Sequence, residues 1–196
     1  MKQLVIATKN NKKLIEIQTL MGKQDYCLKS LEDFGIFKKI EETGHTFEEN
    51  AIIKAEQYGK TTGILTIADD SGLEVDALNG APGVYSARYG GLGKNDSDRN
   101  AYLLENLKGK RNLAARFTCV VALWQPGLQQ TKVFEGIIEG VITEPKGDHG
   151  FGYDPLFYYP PIEKTFGEIS IEEKHRISHR GKAIKKAVEY LQQTTL

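Results

Sequence analysis

Cysteine is scarce in this sequence: Cys27 and Cys119 are the two present among 196 residues. Neither stands in a C-x-x-C pair, so a disulfide scaffold and a zinc ribbon are both excluded, and a reduced, cytoplasmic setting is expected. Long apolar runs are missing too. In MKQLVIATKN the apolar stretch is only Leu4 to Ala7, too short for a signal-peptide core or a membrane span, so neither export nor membrane attachment is expected. Charge of one sign is also lacking, since 26 basic residues meet 26 acidic ones. Without a net field to draw it to polyanions, the protein is not expected to bind nucleic-acid polymers or anionic membranes. There is no internal repeat, no low-complexity tract and no linker rich in Pro, Gly or Ser. The chain therefore reads as one domain over residues 1–196, long enough for a sizeable core.

What is present is an interleaving of strand and helix patterns. Leu4 to Ala7 reads as a buried strand, and Leu14, Ile17 and Met21 then recur at helical spacing, with TKNNKK as the junction. Thr46 and Glu49 form a T-x-x-E capping pattern ahead of Phe47, Ala51, Ala55 and Tyr58, the apolar face of a second helix. Ile64 to Ala68 is the next strand, ending at Asp69 and Asp70, and Leu73, Val75 and Ala77 alternate with Glu74 and Asp76 as a half-exposed strand beyond. Asp96 or Ser97 can cap a helix carrying Leu103, Leu104 and Leu107. Phe117 to Trp124 and Lys132 to Ile142 flank QPGLQQ as a hairpin, which makes the sheet mixed. Ser170 and Glu173 cap again, and Ile184, Val188 and Leu191 mark a C-terminal amphipathic helix. The class is α/β.

Four clusters carry chemistry. In TKNNKK, Thr8, Asn10 and Lys13 stand where free backbone N–H groups and the helix dipole attract anions, which suits a phosphate; Asn10 acting only as a helix cap is the plainer alternative. Asp69 and Asp70, with Glu41 and Glu42 upstream, offer hard oxygen ligands of the kind Mg2+ takes one or two at a time. An Asx turn through Asp-Asp-Ser-Gly is the alternative there. Lys54 follows Asn50 by four residues and shares its helix face. In GDHGFGYDPLF, two glycines around Phe151 would let backbone approach a flat ligand, Phe151 could stack on a base and Asp154 could accept from ring N–H groups, whereas Tyr153 and Phe157 equally suit the core. Finally, EEKHRISHRGKA places Lys174, His179 and Arg180 at a helix end and the next helix start, where guanidinium donors suit a carbonyl oxygen.

Taken in order, TKNNKK, EETGHTFEENAIIKA, ADDSGLEVDALNGAPGVYSARY, FGYDPLF and SHRGKA resemble the motifs of the inosine triphosphate pyrophosphatase family, whose members hydrolyse non-standard purine nucleoside triphosphates. The resemblance spans nearly the whole chain. It implies an elongated mixed β-sheet with helices, two lobes flanking a central substrate cleft, and a homodimer. It implies Mg2+-dependent conversion of ITP, dITP or XTP to the monophosphate and pyrophosphate. By matched position, the run Thr8, Lys9, Asn10, Asn11, Lys12 and Lys13 would bind substrate, with Thr8, Asn10 and Lys13 on the phosphates and Lys54 in support. Glu41 and Asp70 would hold Mg2+. Asp70 would also take the proton of the attacking water, with Asp69 as a competing candidate. Ser71, Phe151, Gly152, Tyr153, Asp154, Lys174, His179 and Arg180 would hold the nucleotide and its base. The sequence departs from the pattern at Lys9, often a small residue, and at His175 and Arg176, where the run is often less basic. A nucleotide-binding sensor without hydrolysis and a pyrophosphatase for modified pyrimidine nucleotides are the competing readings.

Overall fold

The computed structural model describes residues 2–22 and 25–194. Strand β1 (Lys2–Ile6) leads to helix α1 (Asn11–Met21), which is capped by Asn10, its side chain accepting from the backbone of Lys12 and Lys13. After β2 (Tyr26–Ser30) comes α2 (Phe47–Thr62). Its first turn is capped by Thr46, and it closes on Gly63 at φ 68°, a left-handed conformation glycine adopts without strain. Then follow β3 (Leu65–Val75), α3 (Asp96–Leu107), β4 (Ala114–Gln125), β5 (Gln130–Ile142), β6 (Phe157–Tyr159), β7 (Lys164–Thr165), α4 (Ile171–Ile177) and α5 (His179–Gln193). The sheet runs in the order β2-β1-β3-β4-β5-β6-β7. It is mixed, as expected, because β1 pairs in parallel with β2 and β3 while β6 pairs antiparallel with β5 and β7.

The chain divides into two compact units. The first comprises Met1–Asp70, Cys119–Gly136 and Arg180–Leu196, and the second Ser71–Thr118 and Ile137–His179. In the first, Ile17 and Met21 of α1 and Ala183, Ile184, Ala187 and Leu191 of α5 bury against Leu4, Ile6, Ile67, Cys119, Val121 and Leu123 of the strands. In the second, Leu73, Leu103, Phe117, Ile138, Phe157 and Phe166 belong to a separate core. Each fully buried aliphatic side chain there stabilises its unit by about 1.5–3 kcal/mol.

Three expectations change. Strand β3 does not stop at Asp69 and Asp70 but runs unbroken for 11 residues through both, so neither a strand end nor an Asx turn exists there. Aspartate is depleted in strands, but that preference depends on surroundings, and the cationic partners described below accommodate these two residues here. Ala77 lies past the strand, in a short 3-10 turn over Asp76–Leu78. The cap of α3 is Asn95, whose side chain accepts from the Asp98 backbone, and Asp96 is already helical. The hairpin expected around QPGLQQ is present as the short link between β4 and β5, with Leu128 N–H donating to the Gln125 carbonyl at 3.2 Å.

Candidate functional site

Successive side chains of a strand point to opposite faces, so the adjacent aspartates of β3 face different surroundings. Asp69 lies on the side of Ile67, towards α1 and α5. Its side chain is 0% exposed, and its Oδ2 lies 3.0 Å from the Lys13 ammonium and 3.2 Å from Arg180 Nε. Arg180 Nη1 in turn donates to Glu16 of α1. Burial by itself would raise the pKa of Asp69, but Lys13, Arg180 and Lys54 outweigh it and hold the carboxyl well below the usual range. Burial would likewise lower that of Arg180, yet Asp69 and Glu16 push it higher still. Asp69 and Arg180 therefore stay charged, with Lys13 and Glu16 beside them at the head of α1.

Asp70 faces α2. Its Oδ1 lies 3.4 Å from the Lys54 ammonium, which also stands 3.1 Å from Glu42. Burial would lower the pKa of Lys54, and Asp70, Glu42 and Asp69 together raise it, so the lysine stays charged. Burial would raise that of Glu42, whereas Lys54, Lys39 and Lys13 lower it, so the glutamate stays ionised. Among the described residues, Asp70 Oδ2 is buried and has no hydrogen-bond partner. A buried carboxylate oxygen without a partner is costly unless something cationic or protic meets it.

Glu42 and not Glu41 is the residue brought here: Glu41 is exposed, whereas Glu42 is half-buried against Lys54. Glu42 and Asp70 are the pair that could hold a divalent cation, because two carboxylates share one ammonium. Among the described residues no group of three or more His, Cys, Asp and Glu side chains could hold a metal ion. A site of two carboxylates suits Mg2+, which completes its shell with water and phosphate oxygens, better than zinc, which takes three or four protein ligands.

The TKNNKK run divides. Asn10 is occupied by capping, and Thr8 Oγ1 accepts from the Asn10 backbone at 3.2 Å. Asn11 and Lys12 are exposed at the start of α1, and Lys13 turns onto Asp69. Lys9 points away from this group, donating to the Ile36 carbonyl and standing 5.4 Å from the Phe37 ring centroid.

The second unit holds its own cluster. Lys174 of α4 donates to Asp154 at 2.6 Å, both side chains being buried, and its ammonium stands 4.7 Å over the half-buried Phe151 ring. Asp154 Oδ2 also accepts from the Phe151 backbone at 2.7 Å. Gly150 permits this turn, since at φ 76° a Cβ there would lie 2.1 Å from Asp154 Oδ2. Gly152 is held between Asp96 and Asn100 of α3, donating to the first at 2.9 Å and accepting from the second at 3.1 Å. Tyr153 takes the plainer role, buried with its hydroxyl donating to the Ser86 carbonyl at 2.9 Å. His179 is buried and stacks on Phe117 with ring centroids 4.7 Å apart. Ser71 is half-buried, one residue beyond Asp70 on β3.

Sequence reasoning did not single out Glu16; it counted Glu42 among the acidic candidates but chose Glu41 as the ligand, and it noted Asn50 only as sharing the helix face of Lys54. Glu16 is three residues beyond Lys13, hence on the same face of α1, and that spacing was the available signal. The Ham1 family profile matches residues 4–190. A dITP/XTP pyrophosphatase of Bacillus licheniformis is 52% identical over 196 residues, covering 98% of this chain and 100% of that protein. One of Bacillus subtilis is 48% identical over 195 residues, covering 98% of each. Among solved structures, a HAM1 protein from Coxiella burnetii superposes with a TM-score of 0.92 at 41% identity, covering 99% of this chain and 100% of that one. The Staphylococcus aureus Ham1 protein gives 0.90 at 42% identity, covering 98% and 99%.

Proposed function

The chain belongs to the Ham1 family, and we propose that it hydrolyses non-standard purine nucleoside triphosphates, ITP, dITP and XTP, to the nucleoside monophosphate and pyrophosphate with Mg2+. The relatives that match over nearly their whole length are named dITP/XTP pyrophosphatases. The observation that carries the reading is the unpartnered, buried Oδ2 of Asp70 beside Lys54 and Glu42. A water molecule placed against that oxygen gives up a proton to it as its own oxygen bonds to the α-phosphorus and the bridging P–O bond to the β-phosphate breaks. Lys13 and Lys54 neutralise the charge gathering on the phosphate oxygens. Mg2+ held by Asp70 and Glu42 would supply a hard cation for those oxygens and for the leaving pyrophosphate. Arg180 holds Asp69, and Asp69 fixes Lys13, so this network's part is to pre-set the position of the lysine. Phe151 and Asp154 have the chemistry a purine needs, a ring to stack on and an acceptor for ring N–H groups. A homodimer working in the cytoplasm belongs to the same proposal. The resemblance supports the homodimer, and the two free cysteines fit a reducing compartment.

The test is pyrophosphate release by the full chain across ITP, dITP, XTP, ATP, GTP and a modified pyrimidine triphosphate, with Mg2+ and with chelator. One pyrophosphate per monophosphate from the deaminated purines, and none in chelator, is expected. Release of orthophosphate, or equal turnover of ATP, would refute it.

A further inference from the structure

Residues 36–44 form neither helix nor strand, so beyond the Ile36 N–H bond to the Leu31 carbonyl at 3.0 Å no ladder holds this segment, and side chains supply its further tethers. At its start Lys9 donates to the Ile36 carbonyl. From there on the tethers come from α2. Tyr58 donates its hydroxyl to the Lys38 carbonyl and accepts from the Ile40 backbone N–H, both at 3.2 Å. Lys54 meets Glu42 at 3.1 Å. Asn50 Oδ1 accepts from the Gly44 backbone at 2.8 Å. Tyr58, Lys54 and Asn50 are four residues apart, one row along the helix face.

The two periods agree. A helix advances about 6 Å from i to i+4, and an extended chain advances about 6.6 Å over two residues. The segment can therefore run along α2 in the opposite direction, with residues 40, 42 and 44 meeting 58, 54 and 50 in turn. Its burial follows the same alternation: Ile40, Glu42 and Gly44 are half-buried, whereas Glu41, Thr43 and His45 are exposed. Close approach at the far end depends on glycine, since a Cβ on Gly44 would lie 2.6 Å from Glu49 Cβ and 2.7 Å from Asn50 Oδ1.

We propose that Tyr58 is a positioning residue: by clamping the backbone at Lys38 and Ile40, its hydroxyl sets the register that turns Glu42, rather than Glu41, towards Asp70. The inference rests on the reading of Glu42 and Asp70 as a cation site. Tyr58 is 3% exposed, and its hydroxyl acts two residues short of Glu42, so it tunes the ligand as an outer-sphere partner does.

Tyr58→Phe keeps the buried ring and removes only the clamp. Mn2+ binding to the full chain followed by electron paramagnetic resonance, the Mg2+ dependence of pyrophosphate release, and a thermal melt would be compared for parent, Tyr58→Phe, Glu42→Gln and the double variant. Tyr58→Phe should weaken Mn2+ about 10-fold or more and raise the half-saturating Mg2+ in step, with kcat at saturating Mg2+ close to the parent's. Glu42→Gln should weaken Mn2+ at least as much, and the double variant no further, because both act through one carboxylate. Parental Mn2+ affinity in Tyr58→Phe, with or without a lower melting temperature, alongside loss in Glu42→Gln, overturns the positioning role and leaves the cation site standing. Parental affinity in Glu42→Gln overturns the cation site and this inference together.

Discussion

Replacing Asp69 by Asn removes a carboxylate that is 0% exposed and lies 3.0 Å from Lys13 and 3.2 Å from Arg180. Both cations lose this buried partner, and breaking such a pair by deleting one member costs about 3–5 kcal/mol. For a chain of this size each kcal/mol moves the melting temperature by about 2–4 °C, so a fall of about 6–20 °C is expected. The same substitution one residue on should behave differently. Asp70→Asn keeps the shape, leaves Lys54 its 3.1 Å contact with Glu42, and takes no hydrogen bond from Oδ2, which has none. Its stability should shift by no more than about 1 kcal/mol. On the proposed function its pyrophosphate release should fall by about 100-fold or more, because the proposed proton acceptor and cation ligand are both gone. Metal-free melts by circular dichroism and turnover of ITP at saturating Mg2+ measure the two effects. An Asp69→Asn protein melting with the parent, or an Asp70→Asn protein turning over at the parental rate, would refute the division of labour between the two aspartates.

Lys174→Met should leave the buried Asp154 carboxylate without the ammonium now 2.6 Å away, at a cost of about 3–5 kcal/mol. Adding Asp154→Asn should recover most of that loss, since no buried charge is then stranded, and thermal melts of the two variants decide it. Burial and the neighbouring Asp69 push the Cys119 thiol up to about 12. Thiolate forms only as pH rises through the pKa, so at pH 8 about one part in ten thousand of Cys119 is reactive in the folded protein. Iodoacetamide at pH 8 should therefore add once to the native chain, at half-buried Cys27, and twice in denaturant; two native adducts by mass spectrometry would contradict the burial.

The strongly periodic elements were readable in the sequence because their cause is local. Leu14, Ile17 and Met21 mark α1, and the Thr46 cap with Ala51, Ala55 and Tyr58 marks α2, and both helices lie where the pattern places them. The short strands β2, β6 and β7 were not readable, since strands of five, three and two residues carry too little alternation and exist through their neighbours. The break read into β3 had the same origin. Two aspartates signal a turn in any local window, and what cancels the signal is Arg180, 111 residues away from Asp69. Arg180 itself looked like a reader of the base because its motif is basic and opens a helix, yet its guanidinium is buried between Asp69 and Glu16, which is 164 residues distant.

Both ambiguous acidic pairs, Glu41 with Glu42 and Asp69 with Asp70, yield to one argument. In strand β3 neighbours face opposite ways, and in the irregular segment burial alternates residue by residue from Ile40 to His45, so each pair presents only one carboxylate to a given surface. The surface that decides is the row Asn50, Lys54 and Tyr58 of α2. Lys54 selects Asp70 from β3 and Glu42 from the irregular segment, and the members not selected go to the Lys13–Arg180 network in one case and to solvent in the other. Read this way, the N-x-x-x-K-x-x-x-Y spacing within NAIIKAEQY carries information that neither acidic pair carries alone. It says which face of α2 is polar inside a buried setting, and therefore which acid of each pair has a charged partner to meet. Adjacent carboxylates are tolerated in this chain because the alternation sends Asp69 mainly to Lys13 and Arg180 and Asp70 to Lys54, and among the described residues Asp70 Oδ2 is left without a hydrogen-bond partner.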